Sequence, residues 1–195
     1  MELSFGLILL FVCLPASGFA ECTQADNDAS TRRALETQYA TIERATFAKD
    51  AAALFSVYAP DFEAHNINGS VSKFRDSAAY VTAGFDPVKQ NIHLSNTIVG
   101  MVSCATRQVK ATVLQQWTRM QESSGELRRY ETNTVRDETW TFDGTVWKRQ
   151  LIDNIRPGAW FVDGKCVDPG KAYDPDAPEF DPHGLSPATV SSRSE

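Results

Sequence analysis

A change of hydrophobic period near residue 91 constrains this chain more than any other feature. Before it apolar side chains recur at helical spacing; after it, as far as about residue 155, they alternate with polar ones. Leu35, Tyr39 and Ile42 stand at i, i+4 and i+7 with Arg32, Arg33, Glu36, Glu43 and Arg44 between them, which predicts an amphipathic helix over 28–49. Asp50 is placed to cap a shorter helix through Ala51, Leu54, Phe55 and Tyr58, which Pro60 ends. An extended stretch from Phe62 to Ile67 and a Gly69 turn follow. Ser72 then caps a third helix carrying Phe74, Ala78 and Val81, whose exit is marked by Gly84 and Pro87.

Four alternating runs come next: Ile92 to Val102, Val109 to Trp117, Trp140 with Phe142, and Val146 through Ile155. The breaks between them are hairpin-like, at Ser103 to Arg107, at Glu122 to Glu126, and at Asp143-Gly144. Helices first and a long antiparallel meander afterwards predict an α+β fold, because one curved sheet must lay its apolar face on the helices that precede it. With 42% of 195 residues apolar, a packed core is within reach.

The ends read differently. Residues 3 to 14 are an apolar run too short to span a bilayer, followed by Pro15, Ala16, Ser17, Gly18 and Ala20, so 1–20 reads as a secretory signal peptide cut before Glu21. Its leading segment carries Glu2 and no Lys or Arg, unlike most such segments. The mature protein is then expected to be secreted or periplasmic, with no membrane segment. Residues 168–195 hold five of the nine prolines and are acidic, which makes a loosely ordered tail that Tyr173 and Phe180 could pin, or that could fold as a lid over a pocket mouth. The domain proper is 21–167.

The formal charge of −6 and the scatter of basic residues exclude a phosphate-tracking stripe, so nucleic acid is not an expected partner. Once Cys13 leaves with the signal, Cys22, Cys104 and Cys166 remain, and three thiols in an oxidising compartment leave one over. A Cys22–Cys166 bridge would tie the ends of the domain together; the sequence alone leaves the connectivity open. Asn68-Gly69-Ser70 is a glycosylation sequon in a eukaryotic host and otherwise a turn.

Leu54 through Phe62, a strand, a third helix, and a meander with Thr141-Phe142-Asp143-Gly144 before Trp147-Lys148 resemble a SnoaL-like domain of the nuclear transport factor 2-like superfamily over residues 30 to 160. The resemblance implies a cone: a bent antiparallel sheet, of the cystatin-like α+β barrel type, wrapped around the N-terminal helices and enclosing one apolar pocket. It also brings in ketosteroid isomerases and scytalone dehydratases. Against the isomerases, their catalytic Tyr falls on Ile42, their general-base Asp on Asn66 and their oxyanion-hole acid on Glu138, so only the last stays ionisable and that reaction is excluded. Against scytalone dehydratase, Asn91-Ile92-His93-Leu94 looks like the segment holding a catalytic histidine, at His93, while the catalytic Asp falls near Arg44 and a water-holding Tyr falls on Asn66.

His65 and Asn66 are strand neighbours and face opposite ways; the resemblance turns Asn66 toward the pocket. His93 is therefore the candidate acid or base. Of Asp137 and Glu138, whichever turns inward is expected to be a carboxyl with a raised pKa, able to donate a proton; the other reading is a solvated carboxylate balanced by Arg136 or Arg149. Tyr39 either fills the core, as helical tyrosines more often do, or presents its hydroxyl at the cone mouth; most of the tryptophans are expected in the core, with Trp117 and Trp140 as the candidates to line a cavity suited to an aromatic ligand. His65, His93 and His183 are too dispersed for a metal centre, and no Gly-rich phosphate loop is present, so no cofactor is expected. The functional expectation is a small apolar or aromatic ligand in the cone, with any chemistry a cofactor-free lyase or isomerase proton transfer. The alternative is a non-catalytic module with a filled core that forms a homodimer through its outer sheet face.

Overall fold

The computed structural model describes residues 29–74, 85–105 and 107–181. The segment expected to be a signal peptide, Cys22, His183 and most of the expected third helix lie outside the described residues. The elements are α1 (Ala29–Ala48), α2 (Ala51–Phe55), β1 (Tyr58–His65), β2 (Val71–Lys73), β3 (Val88–Ala105), β4 (Gln108–Ser123), β5 (Glu126–Phe142), β6 (Trp147–Val162) and β7 (Lys165–Val167). α1 buries Leu35, Tyr39, Ile42 and Ala45, the stripe its spacing calls for. It stops where Lys49 takes a left-handed conformation, φ 53°, and the amide of Asp50 turns back to the Ala45 carbonyl. Asp50 then caps α2, its carboxylate accepting from the Ala53 amide at 2.9 Å.

Two expectations are corrected here. α2 ends at Phe55 rather than at Pro60, which lies inside β1, and Ser72 sits in β2 instead of capping a helix. In β1 Phe62 is buried and the half-buried Tyr58 stacks on it, ring centroids 4.3 Å apart.

The sheet runs β2-β1-β6-β5-β4-β3, with β7 on β6. The three hairpins fall where their turn residues put them. The sheet is mixed rather than antiparallel throughout: β1 lies parallel to β6, with Tyr58 opposite Arg149 and Ala64 opposite Ile152, because the chain leaving α2 enters the sheet beside its last long strand, running the same way. Strands of 16 to 18 residues are too long to stay flat over two helices. Register shifts in β3 at 91/93, 98/100 and 103/105, and between β5 and β6 at 132/134, 135/137 and 139/140, bend them around α1.

Alternation then sorts the faces. Val109, Ala111, Val113, Gln115 and Trp117 of β4 stand beside Trp140, Glu138, Arg136, Thr134 and Thr132 of β5 on the inner face. At one end the cone is packed solid: Leu35, Tyr39, Val57, Val113 and Trp140 are each 1% exposed or less. Residues 168–181 fold back on the far end of β5 and on β7. There Tyr173 meets Tyr130 edge-on at 6.2 Å and the Phe180 amide donates to the Cys166 carbonyl. Cys166 is a buried free thiol, its pKa raised by burial, so the Cys22–Cys166 bridge is not made.

Candidate functional site: a cavity walled by two arginines

Between the packed end and the open rim lies a cavity of about 350 Å³. Ile42, Leu54, Phe85, Leu94 and Ile152 give it an apolar wall, and Trp117, Gln115, Arg136 and Arg149 give it a polar one. Its size falls within the range of small-molecule sites. A wider groove of about 700 Å³ crosses the opposite face of the sheet beside Lys110, Thr112, Asp137 and Asp153. Its lining is mixed, with Met101, Val102 and Leu151 beside the polar groups.

The polar wall is organised around Glu138, which is 1% exposed. Its Oε2 accepts from the Tyr39 hydroxyl at 2.8 Å and from Trp140 Nε1 at 3.0 Å, and its Oε1 accepts from Arg136 Nε at 2.6 Å. Arg149 Nε lies 3.0 Å from Oε2, an ion pair whose N–H direction is too oblique for a hydrogen bond. Burial alone would raise the pKa of Glu138, but the two guanidiniums and the Tyr39 bond outweigh it and hold the group below the ordinary carboxylate range. Tyr39 is pushed well above its usual value, first by burial and then by the Glu138 charge, so it stays a donor.

The expectation of a proton-donating carboxylic acid is thus corrected: the inward group is Glu138, and it is a carboxylate. Its oxygens are occupied by donors.

Arg136 uses all three nitrogens: Nε on Glu138, Nη1 on Gln115 Oε1 at 3.2 Å, and Nη2 on Asn96 Oδ1 at 3.3 Å. Asn96 in turn donates to Glu43 of α1. Arg149 is 2% exposed and boxed by rings, its guanidinium carbon 5.6 Å from the Tyr39 centroid, 5.6 Å from that of Tyr58 and 5.1 Å from that of Trp140. Trp117 lines the cavity, carries the Arg119 guanidinium 4.0 Å from its centroid, and donates Nε1 to Asn91 Oδ1 at 2.8 Å. Burial lowers the Arg119 pKa to about 10.

The residues singled out from sequence are scattered by this geometry. His93 is exposed: it pairs with Thr118, whose neighbour Trp117 faces inward, so the imidazole points away from the cavity. A register shift between Asn91 and His93 produces this, turning Asn91 in and His93 out. Asn66 is also outside the cavity. Its amide holds the turn after β1 by donating to Ser70 Oγ at 3.0 Å and Ser72 Oγ at 2.9 Å. Asp137 is on the outer face, paired with Arg156 at 3.0 Å, and that bond first, with those from Asn154 and Thr112, takes its pKa down to about 2.

Tyr39 lies on the floor of the cone and not at its mouth, and Trp140 belongs to the packed core. Of the residues singled out from sequence, Trp117 lies among the cavity-lining groups. Arg149 as a cavity-lining group was missed. The period-two rule that puts Glu138 inside puts Arg136 there too, which was the available signal; Arg149 reaches the same layer through the 139/140 register shift, which alternation does not reveal.

No protein-family model matches the chain, and no curated protein sequence does. Solved structures do share its fold. A hexachlorocyclohexane dehydrochlorinase (LinA) of type 2 superposes with a TM-score of 0.59 at 12% identity, over 76% of this chain and 96% of the other. A proposed scytalone dehydratase from Novosphingobium aromaticivorans gives a TM-score of 0.59 at 8% identity, over 68% of this chain and 87% of the other. A proposed dehydratase of the NTF2-like family from Streptomyces avermitilis gives 0.54 at 12% identity, over 66% and 97%. The fold is the nuclear transport factor 2-like α+β fold.

Proposed function

We propose that the protein binds a small, largely apolar molecule in the cavity between its helices and the inner face of its sheet, and that it works outside the cytoplasm once residues 1–20 are removed. The observation that carries this reading is the cavity itself: about 350 Å³ of space with apolar walls and a few fixed donors, next to a core that is otherwise packed solid. Structural neighbours on the same fold are named as dehydratases and a dehydrochlorinase. In this chain the charged groups among the described cavity-lining residues are both arginines, with no carboxylate or imidazole free to move a proton, so the geometry favours binding over proton transfer.

A titration with the neutral probe 2-naphthol, followed by tryptophan emission, is expected to saturate. Leu94→Trp, which fills the cavity from β3 without removing a hydrogen bond, is expected to abolish the response. Absence of saturation in the parent protein, or unchanged saturation in Leu94→Trp, refutes the reading.

Exposed Ile92 and Val99 on the edge strand β3 favour one addition, a homodimer formed at the edge and outer face, compatible with a ligand inside each cone. Solution mass at micromolar concentration tests it.

A further inference from the structure

Resting on that reading, the polar wall narrows the ligand class. The charged groups facing the cavity among the described residues are Arg136 and Arg149, and the one carboxylate ion-paired with them, Glu138, stands behind. The layer therefore carries one positive charge more than it compensates. Glu43, the next carboxylate, is removed by a step, reached only through Asn96. Each nitrogen of Arg136 already holds a partner within the chain. Arg149 Nη2 is fully buried with no hydrogen-bond partner, on a guanidinium held in place by three rings. Buried donors without partners are rare and costly, and one on a guanidinium that lines an apolar cavity is a ready contact for an acceptor that the chain does not itself supply, once a small shift of the surrounding rings uncovers it.

We propose that the cavity takes an apolar monocarboxylate, its hydrocarbon or aromatic body against Ile42, Leu54, Leu94 and Trp117 and its carboxylate on Arg149 Nη2. Carboxylate is favoured over phosphate by charge: a single negative charge neutralises the layer, whereas a phosphate monoester, which carries nearly two, would leave an excess in a place of low dielectric. An amine is excluded by the same count.

The test compares isosteric probes on the full mature chain by calorimetry. 2-Naphthoate is expected to bind at least about tenfold more tightly than 2-naphthamide, since a charge-assisted hydrogen bond is stronger than a neutral one. 2-Naphthyl phosphate and 2-naphthylamine are expected to bind more weakly than the carboxylate. Arg149→Lys keeps the charge against Glu138 but removes the forked donor, and is expected to cost naphthoate about tenfold or more while leaving naphthamide within a factor of about three.

Equal affinity for acid and amide, or tighter binding of the phosphate, overturns the carboxylate assignment and leaves the cavity reading standing. Failure of naphthol, amide and acid alike overturns both. The parent-protein series decides the matter even where Arg149→Lys does not fold.

Discussion

Glu138 and Arg149 sit on neighbouring strands with Nε 3.0 Å from Oε2, both almost without exposure, in a layer whose other charged member is Arg136. Such a layer is a poor source of net stability but is expensive to break, because removing one partner strands the others in low dielectric. Glu138→Gln keeps the volume and removes the charge from between two guanidiniums. It is expected to destabilise by about 3–5 kcal/mol. Tyr39→Phe, which removes only one of the carboxylate's donors, is expected to cost about 1–3 kcal/mol. Urea denaturation of both variants checks the ranking, and a Tyr39→Phe more damaging than Glu138→Gln means the charge does not organise the layer.

Glu138 and its outward neighbour Asp137 contribute to the acid limb of stability. Glu138 and Asp137 both have folded-state pKa values below their unfolded ones, Glu138 because its guanidiniums outweigh burial and Asp137 chiefly through Arg156. Their contribution is therefore complete above the unfolded carboxylate range and is lost as pH falls through the folded values, which for Asp137 means from 3.8 down to about 2. Unfolding free energy should be flat in this respect between about pH 5 and 7 and decline below about pH 4. Glu138→Gln should flatten the decline. A slope that persists in that variant and in Asp137→Asn assigns it to other groups.

Asn91 links three elements. Its Nδ2 donates to the Thr46 carbonyl of α1 at 2.9 Å while its Oδ1 accepts from Trp117 of β4 at 2.8 Å, so one side chain of β3 clamps helix and sheet at the cavity rim. Asn91→Ala leaves the indole N–H without a partner and should cost about 1–3 kcal/mol. With Trp117 loosened, its emission should move to longer wavelength and 2-naphthol should bind more weakly. An unshifted spectrum with unchanged binding shows that the clamp is redundant.

Alternation and turn chemistry made much of this fold legible. The hairpin between β5 and β6 is marked by Asp143-Gly144, whose carboxylate accepts from the Thr145 and Val146 amides, and α2 is marked by Asp50. The inward set Val109, Ala111 and Val113 follows from period two. What could not be read was set by non-local pairing. The parallel contact of β1 with β6 leaves no local trace, and each register shift inverts the faces beyond it without changing composition. That is why His93 looked like a cavity residue, and why Arg149 looked like a surface counter-ion.

The pair His93 and Leu94 provides the sharpest contrast between the two readings. Adjacent on β3, they face opposite sides, the imidazole toward solvent beside Thr118 and the leucine, 7% exposed, into the cavity wall. His93→Ala removes an exposed side chain that makes no cavity contact. It is expected to change stability by no more than about 0.5 kcal/mol and to leave naphthol and naphthoate binding as they were. Leu94→Ala deletes buried methyl groups from a wall that is already incompletely filled, so it should cost about 2–5 kcal/mol and let larger ring systems bind. Equilibrium unfolding and the probe series on these two variants give the answer together. Loss of binding in His93→Ala with Leu94→Ala silent would mean that β3 presents its other face to the ligand, and the register at 91/93 would have to be shifted by one residue.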